Sequence, residues 1–407
     1  MATLIDDKLY FFGGSRPIPM TSPVWNLTHQ YNLSDEVFYL DLSSSFTVDL
    51  LPFKDLSDTS RMPFGCEKGT TVKGNGGIRV FLVGGVQQNM VTSGYNTTNS
   101  ILWVYNVNSQ EWGLSQTVGT QLPRRRSTAT IIDQSGVIYI FGGRVELDMG
   151  SNVFTIFDDF FTFNTLSLTW MNLSSTNPPY KRSHSTATLM PDGTIIYIGG
   201  VTQEAPGQNS TRILMNEINV FDTKKLTWSM KYANNHDPTI NIDPRVGHTA
   251  VLAPDNHTIV ILGGTQSYGL NQTTAYPIFV LLDVKSEPFQ YLSPQTSGSP
   301  KVSFHTATVY QNYMIVAFGN ITSDLGPSNE TSADIYIMNL SNYTWITQFE
   351  KNPPFTSSNN TKLAIIICPI VGFIILIIVI IGGYKYYEKK RKEKTLTRNN
   401  TDRETPE

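Results

Sequence analysis

A strand that closes on two glycines recurs through this chain. The copies read "KLYFFGG" (8–14), "RVFLVGG" (79–85), "VIYIFGG" (137–143), "IIYIGG" (195–200) and "TIVILGG" (258–264), with a degraded sixth, "MIVAFGN" (314–320). Glycine costs backbone entropy and packs nothing, so a pair at the end of a strongly apolar strand marks a geometric demand. The second glycine position returns every 56 to 71 residues. A unit of that length cannot bury both of its faces alone, so the copies must stack on one another.

Other features keep step with the glycines. Upstream runs a strand of small residues: "ATLIDD" (2–7), "STATIID" (127–133), "STATLMP" (185–191), "HTAVLAP" (248–254) and "HTATVYQ" (305–311), with "CEKGTTV" standing in the second copy. Downstream comes an apolar strand ending in Asp or Asn, as in "DFFTFNT" and "EINVFDT". Six residues after that Asp or Asn stands an aromatic in five of six copies: Trp112, Trp170, Trp228, Phe289 and Trp345. Thr47 holds the place in the first copy, with Phe46 beside it. Each unit is therefore four short strands, A to D, with no helical periodicity across any unit. The glycines at the end of strand B are expected to adopt conformations closed to other residues and to let the strand D aromatic lie close. Low charge (15%), 30 Gly and 22 Pro agree with a turn-rich β protein.

Strand B closing on Gly-Gly, an aromatic before Asp or Asn, and Trp six residues on resemble the kelch repeat. The resemblance covers roughly residues 1–350 and implies an all-β, six-bladed kelch β-propeller of the galactose-oxidase-like superfamily. With a long apolar run after the repeats, the chain is similar to membrane-anchored kelch proteins of lower eukaryotes and, distantly, to attractin-like ectodomains.

That run, residues 363–383, "LAIIICPIVGFIILIIVIIGG", carries no charge, and as a helix it matches a bilayer core of about 30 Å. A polar stalk (351–362) precedes this expected transmembrane helix. A basic tail (384–407), expected to be disordered, comes after it with six Lys or Arg between Lys385 and Lys394. The positive-inside rule places that tail in the cytosol and the propeller outside or in a lumen. Twelve Asn-X-Ser/Thr sequons before the span agree: Asn26, Asn32, Asn96, Asn172, Asn209, Asn256, Asn271, Asn320, Asn329, Asn339, Asn342 and Asn359. Met1 is followed by no basic or long apolar leader, so a signal peptide upstream of this sequence is expected. A tail-anchored protein with a cytosolic propeller is the alternative.

Function is expected in the loops. The A–B and C–D turns are short, whereas the B–C loops are long: 15–35, 86–100, 144–158, 201–215, 265–277 and 321–333. Long loops on a rigid scaffold are where binding concentrates, so the B–C face is the candidate surface for a protein or glycan ligand. Sequons at Asn26, Asn32, Asn96, Asn209, Asn271 and Asn329 fall in those loops. Arg124, Arg182 and Arg245 each stand five residues before the alanine of strand A, with Lys301 nearly in step. Arg16 and Arg144 open two of the B–C loops. Two roles stay open for this set: structural arginines bonded to backbone or acids, or a basic rim for an acidic group of a ligand. A net charge of −3 gives no sign of a nucleic-acid surface.

The superfamily includes a copper oxidase, and by resemblance its site needs a Tyr–Cys crosslink, a second Tyr and two His. Cys66 is the single cysteine outside the apolar run, with no His near it in sequence. His248 and His305 share one repeat position, which suits packing better than ligation, and no other His shows ligand spacing. No nucleophile elbow or phosphate loop occurs. The expectation is a non-catalytic, cofactor-free binding module.

Overall fold

The first antiparallel ladders follow directly from the repeat. Val137–Phe141 pairs with Ala129–Ile132 on one side and Phe160–Asn164 on the other, and Phe160–Asn164 then pairs with Thr169–Asn172. This is the A–B–C–D order expected of one unit. The computed structural model describes residues 1–351 except 18–30, 93, 95–101, 147–153, 268–271, 295, 327 and 329. The expected stalk beyond Lys351, the membrane span and the tail lie outside the described residues, as do Asn26, Asn96, Asn271, Asn329 and Asn359. Among the described residues no helix is long and apolar enough to cross a membrane, and the helix there is one turn, Ser57–Ser60.

The same order recurs along the chain. The first unit comprises Ala2–Ile5, Lys8–Pro17, Tyr31–Asp41 and Phe53–Asp55, and the second Gly65–Lys73, Arg79–Gln88, Trp103–Asn106 and Glu111–Leu114. The fourth comprises Thr186–Leu189, Thr194–Ile198, Glu217–Asp222 and Thr227–Asn235, and the fifth Thr249–Leu252, Thr258–Leu262, Phe279–Asp283 and Phe289–Leu292. The sixth comprises Thr306–Tyr310, Tyr313–Ala317, Ile335–Asn339 and Thr344–Ile346. The fourth and fifth units merge into one eight-stranded sheet because Ala233–Asn235 runs parallel to Phe289–Tyr291.

Hydrophobic core forms between units. Tyr139, Phe141 and Phe160 of the third unit pack on Ile195, Tyr197, Phe221 and Trp228 of the fourth. Likewise Leu9, Phe11 and Leu40 of the first pack on Tyr313, Ile315 and Ile337 of the sixth. The A strands touch in sequence order and the sixth touches the first, so they surround a common axis. The fold is all-β and propeller-like.

Each repeated residue has a mechanical task. The Asp or Asn ending strand C accepts backbone N–H bonds inside the C–D turn, as Asn164 Oδ1 does from Leu166 (2.9 Å) and Ser167 (3.0 Å). The tryptophan then reaches back to the preceding crossover. Trp112 donates to Ser60 O (3.0 Å), Trp228 to Ser175 Oγ (3.0 Å) and Trp345 to Ser299 Oγ (3.2 Å).

The glycine pair joins neighbouring units, and the aromatic is not what crowds it. Gly142 has φ +64°, and a Cβ there would lie 2.2 Å from Arg182 O of the next unit. Gly143, at φ +90°, donates its N–H to that same carbonyl at 3.0 Å. Any side chain would force the units apart. Gly85, Gly200 and Gly264 repeat the bond to Arg125 O, Arg245 O and Val302 O.

The first unit departs from the expected spacing. Thr47 does not occupy strand D, which is Phe53–Asp55. Phe46–Thr47 instead pairs with Gln348–Phe349 from beyond the sixth unit, and the Phe46 and Phe349 rings stack at 4.9 Å. Lys351 adds an ion pair to Asp7 at 2.6 Å.

Candidate functional site at the channel mouth

Strand A begins, and strand B ends, on the face that carries the B–C loops. At the start of strand A, Lys68, Ser127, His184, Gly247 and Phe304 occupy one equivalent position in five successive units. All five have φ between +54° and +66°, a left-handed conformation that costs a non-glycine residue about 1–2 kcal/mol. Backbone bonds link them around the axis: Ser127 N–H to Lys68 O (2.9 Å), His184 N–H to Ser127 O (3.0 Å) and Phe304 N–H to Gly247 O (2.7 Å). Strain of this kind, held by surrounding structure, concentrates at functional sites.

The side chains of this ring bring basic groups together with the Phe304 ring. Lys68 Nζ lies 5.8 Å from the Phe304 ring centre, and the His184 ring meets Phe304 edge-on at 5.8 Å. Arg126 and Arg144 flank them, joined by reciprocal backbone bonds of 2.9 and 3.0 Å. The Arg144 guanidinium covers Phe154 at 4.6 Å. Glu67 stands 3.3 Å from Lys68 Nζ and 4.0 Å from Arg126 Nη1. Burial opposes ionisation of Glu67, yet Lys68 and then Arg126 hold its carboxyl below the usual range. Burial, then Arg144, Arg126 and Lys68, push the His184 imidazole well below its ordinary value, so it stands neutral. Arg126 and Arg144 are buried, and with Glu67 among them the three cations leave a net positive charge at this end of the A strands.

The arginines singled out by spacing fall in different places. Arg182 and Arg245 are buried, 4% and 0% exposed. Arg245 donates to Gly263 O (3.1 Å) and Tyr276 O (2.8 Å). Arg182 donates to the Asn219 amide oxygen at 3.2 Å when that amide is turned towards it. Burial lowers both guanidinium groups to about 10. Their partner in the third unit is Arg125, one residue on from Arg124. Arg125 bonds Gly142 O at 3.1 Å and grips Asp159 with both terminal nitrogens. The third unit has one residue fewer between this arginine and its alanine, so counting back from the alanine lands on Arg124, which is half-buried. Lys301 pairs with Asp324, and Arg16 with Glu36, both near the surface on the B–C face. Of the spacing set, only Arg144 joins the mouth. Lys68 and Arg126 were missed there: Lys68 stands at the repeat position of Ser127 and Arg126 one residue before that position, so no single spacing picks out both.

The copper-oxidase constellation does not fit these residues. Cys66 is buried in the interface of the first two units with Tyr10 and Tyr105, and burial pushes its thiol up to about 12. His248 and His305 lie in the fifth and sixth units, bonded through Nε2 to Thr186 (3.4 Å) and Thr249 (2.8 Å) of the preceding units. Among the described residues no three His, Cys, Asp or Glu could share a metal ion.

A family model described as the attractin/LZTR1 β-propeller matches residues 1–241 and again 80–392. The chain belongs to that family. Curated relatives carry the same repeat. A "Kelch repeat-containing protein" of Arthroderma benhamiae is 25% identical over 39% of this chain and 24% of its own length. "Kelch domain-containing protein 3" of Rattus norvegicus is 28% identical over 32% of each chain. "Kelch-like protein terF" of Aspergillus terreus is 27% identical over 62% of this chain and 48% of its own. The chain thus spans between a quarter and a half of the length of these relatives.

Proposed function

We propose that the kelch propeller is a non-catalytic binding module that docks a protein partner on its B–C face and receives an acidic group of that partner at the mouth. The observation that carries this reading is the convergence of Lys68, Arg126 and Arg144 around a ring of left-handed residues. A glycan is the second ligand class, favoured by the exposed aromatic Tyr276 and the polar loops around it. In this reading the six units close as six blades, and residues 363–383 anchor the protein with its propeller extracellular or lumenal and its tail cytosolic. The six phased repeats, the cyclic contacts of the A strands, the uncharged run and the basic residues after it support this arrangement. A cytosolic propeller held by its tail is the alternative and would use the same face.

The test is affinity capture with the full chain. Lys68→Glu reverses one charge at the mouth, and Lys285→Glu does the same in the exposed C–D turn of the fifth unit, on the opposite face. Partners captured by the parent should be lost with Lys68→Glu and retained with Lys285→Glu, with both variants melting near the parent. Equal capture by all three removes the mouth from the reading.

A further inference from the structure

Two exposed sequons meet on the face opposite the mouth. Asn256 sits in the A–B turn of the fifth unit at φ +64°, its side chain exposed. Asn342 sits exposed in the C–D turn of the sixth. The Asn342 carbonyl oxygen accepts from Thr344 N (3.2 Å) and Thr344 Oγ1 (2.7 Å), so its amide nitrogen is left for other chemistry. Tyr343, the middle residue of the second sequon, stands near Thr258, the hydroxyl residue of the first, and near Asp255. Its ring also packs on Phe279 at 5.9 Å, which fixes the seam between the two units. Among the described residues Asn172 and Asn209 are exposed sequons as well, but each lies on a different unit from this pair, whereas three others are less open. Asn320 and Asn32 are half-buried in paired strands, and half-buried Asn339 caps its own turn through Ser341 N–H at 2.9 Å.

We propose that Asn256 and Asn342 are both N-glycosylated and form a paired carbohydrate shield over this seam. This rests on the extracytosolic placement of the propeller. At each site the amide nitrogen forms a bond to the anomeric carbon of a lipid-pyrophosphate-linked oligosaccharide. The anomeric carbon–oxygen bond breaks, the lipid pyrophosphate leaves, and the amide gives up one proton. Both turns project their asparagine outward, so the folded units accommodate a sugar at each without rearrangement.

The experiment expresses the full chain behind a cleavable secretion signal in eukaryotic cells. Peptide-N-glycosidase is then applied in heavy-oxygen water, and peptides are read by mass spectrometry. Label is expected at both Asn256 and Asn342. Asn256→Gln and Asn342→Gln should each remove one glycan step of gel mobility, and the double substitution two. Label at other asparagines such as Asn209, but at neither or only one of this pair, overturns the paired shield while leaving the extracytosolic placement standing. Label nowhere in the chain overturns both.

Discussion

Trp228 is where the repeat can be tested most sharply. It is 3% exposed, and its ring meets Phe141 (5.0 Å), Phe160 (5.2 Å), Tyr197 (5.0 Å) and Phe221 (4.9 Å). Two of these belong to the preceding unit, so Trp228→Ala empties a site between units. Large-to-alanine changes at such sites cost about 3–5 kcal/mol. Unfolding entropy of about 2.1 cal/mol/K per residue gives about 0.7 kcal/mol/K over the 351 residues of the folded unit. A loss of about 4 kcal/mol therefore lowers the melting temperature by about 5–6 °C. Trp228→Phe keeps an aromatic ring but loses the bond to Ser175, worth about 1 kcal/mol, so it should fall well short of the alanine loss. Guanidinium melts of the three proteins measure the order, and an unchanged slope shows that stability alone has moved. Hydrogen exchange around Ser175 should quicken in both variants, because the indole no longer holds the crossover. An alanine variant within about 1 kcal/mol of the parent would refute the assignment of this tryptophan as an inter-unit anchor.

The same geometry yields three further outcomes. Gly142→Ala should cost more than about 2 kcal/mol in chemical denaturation, since it adds left-handed strain to a clash with the next unit. Arg125→Ala leaves Asp159 without its buried partner and should cost about 3–5 kcal/mol by the same measurement. Burial holds His248 and His305 at about 3, against an unfolded value of about 6.5. Their neutral forms stabilise the fold fully above about pH 6.5, and that contribution falls as pH drops towards about 3, where the folded imidazoles also protonate. Between about pH 6 and 4 the slope should approach 1.4 kcal/mol per pH unit for each histidine, and His305→Gln should flatten it by one such step.

The unit structure was legible because its signals are local. A strand ending in Gly-Gly, an Asx turn and a tryptophan six residues later are each read from a few neighbouring residues. What failed depended on register between units. The alanine of strand A pointed to Arg124, whereas the bond to the Gly84–Gly85 turn selects Arg125. Thr47 stood at the right spacing for strand D, yet Phe46–Thr47 is claimed by residues about 300 positions away. Lys68 and Arg126 carry no motif of their own. Their meeting with Arg144 is a product of the ring and exists in no single repeat.

The seam between the first unit and residues 348–349 also sets a timetable. Tyr310 bonds Asp7 across 303 residues, and Leu9, Phe11 and Leu40 find their covering partners only in the sixth unit. At synthesis rates of about 5–20 residues per second, the first unit waits about 15–60 s for that cover. During that time one apolar face of the nascent chain stays open to chaperones and to other copies. Phe46 and Phe349 are thus the residues whose substitution should reduce the yield of folded protein out of proportion to any change in its melting temperature.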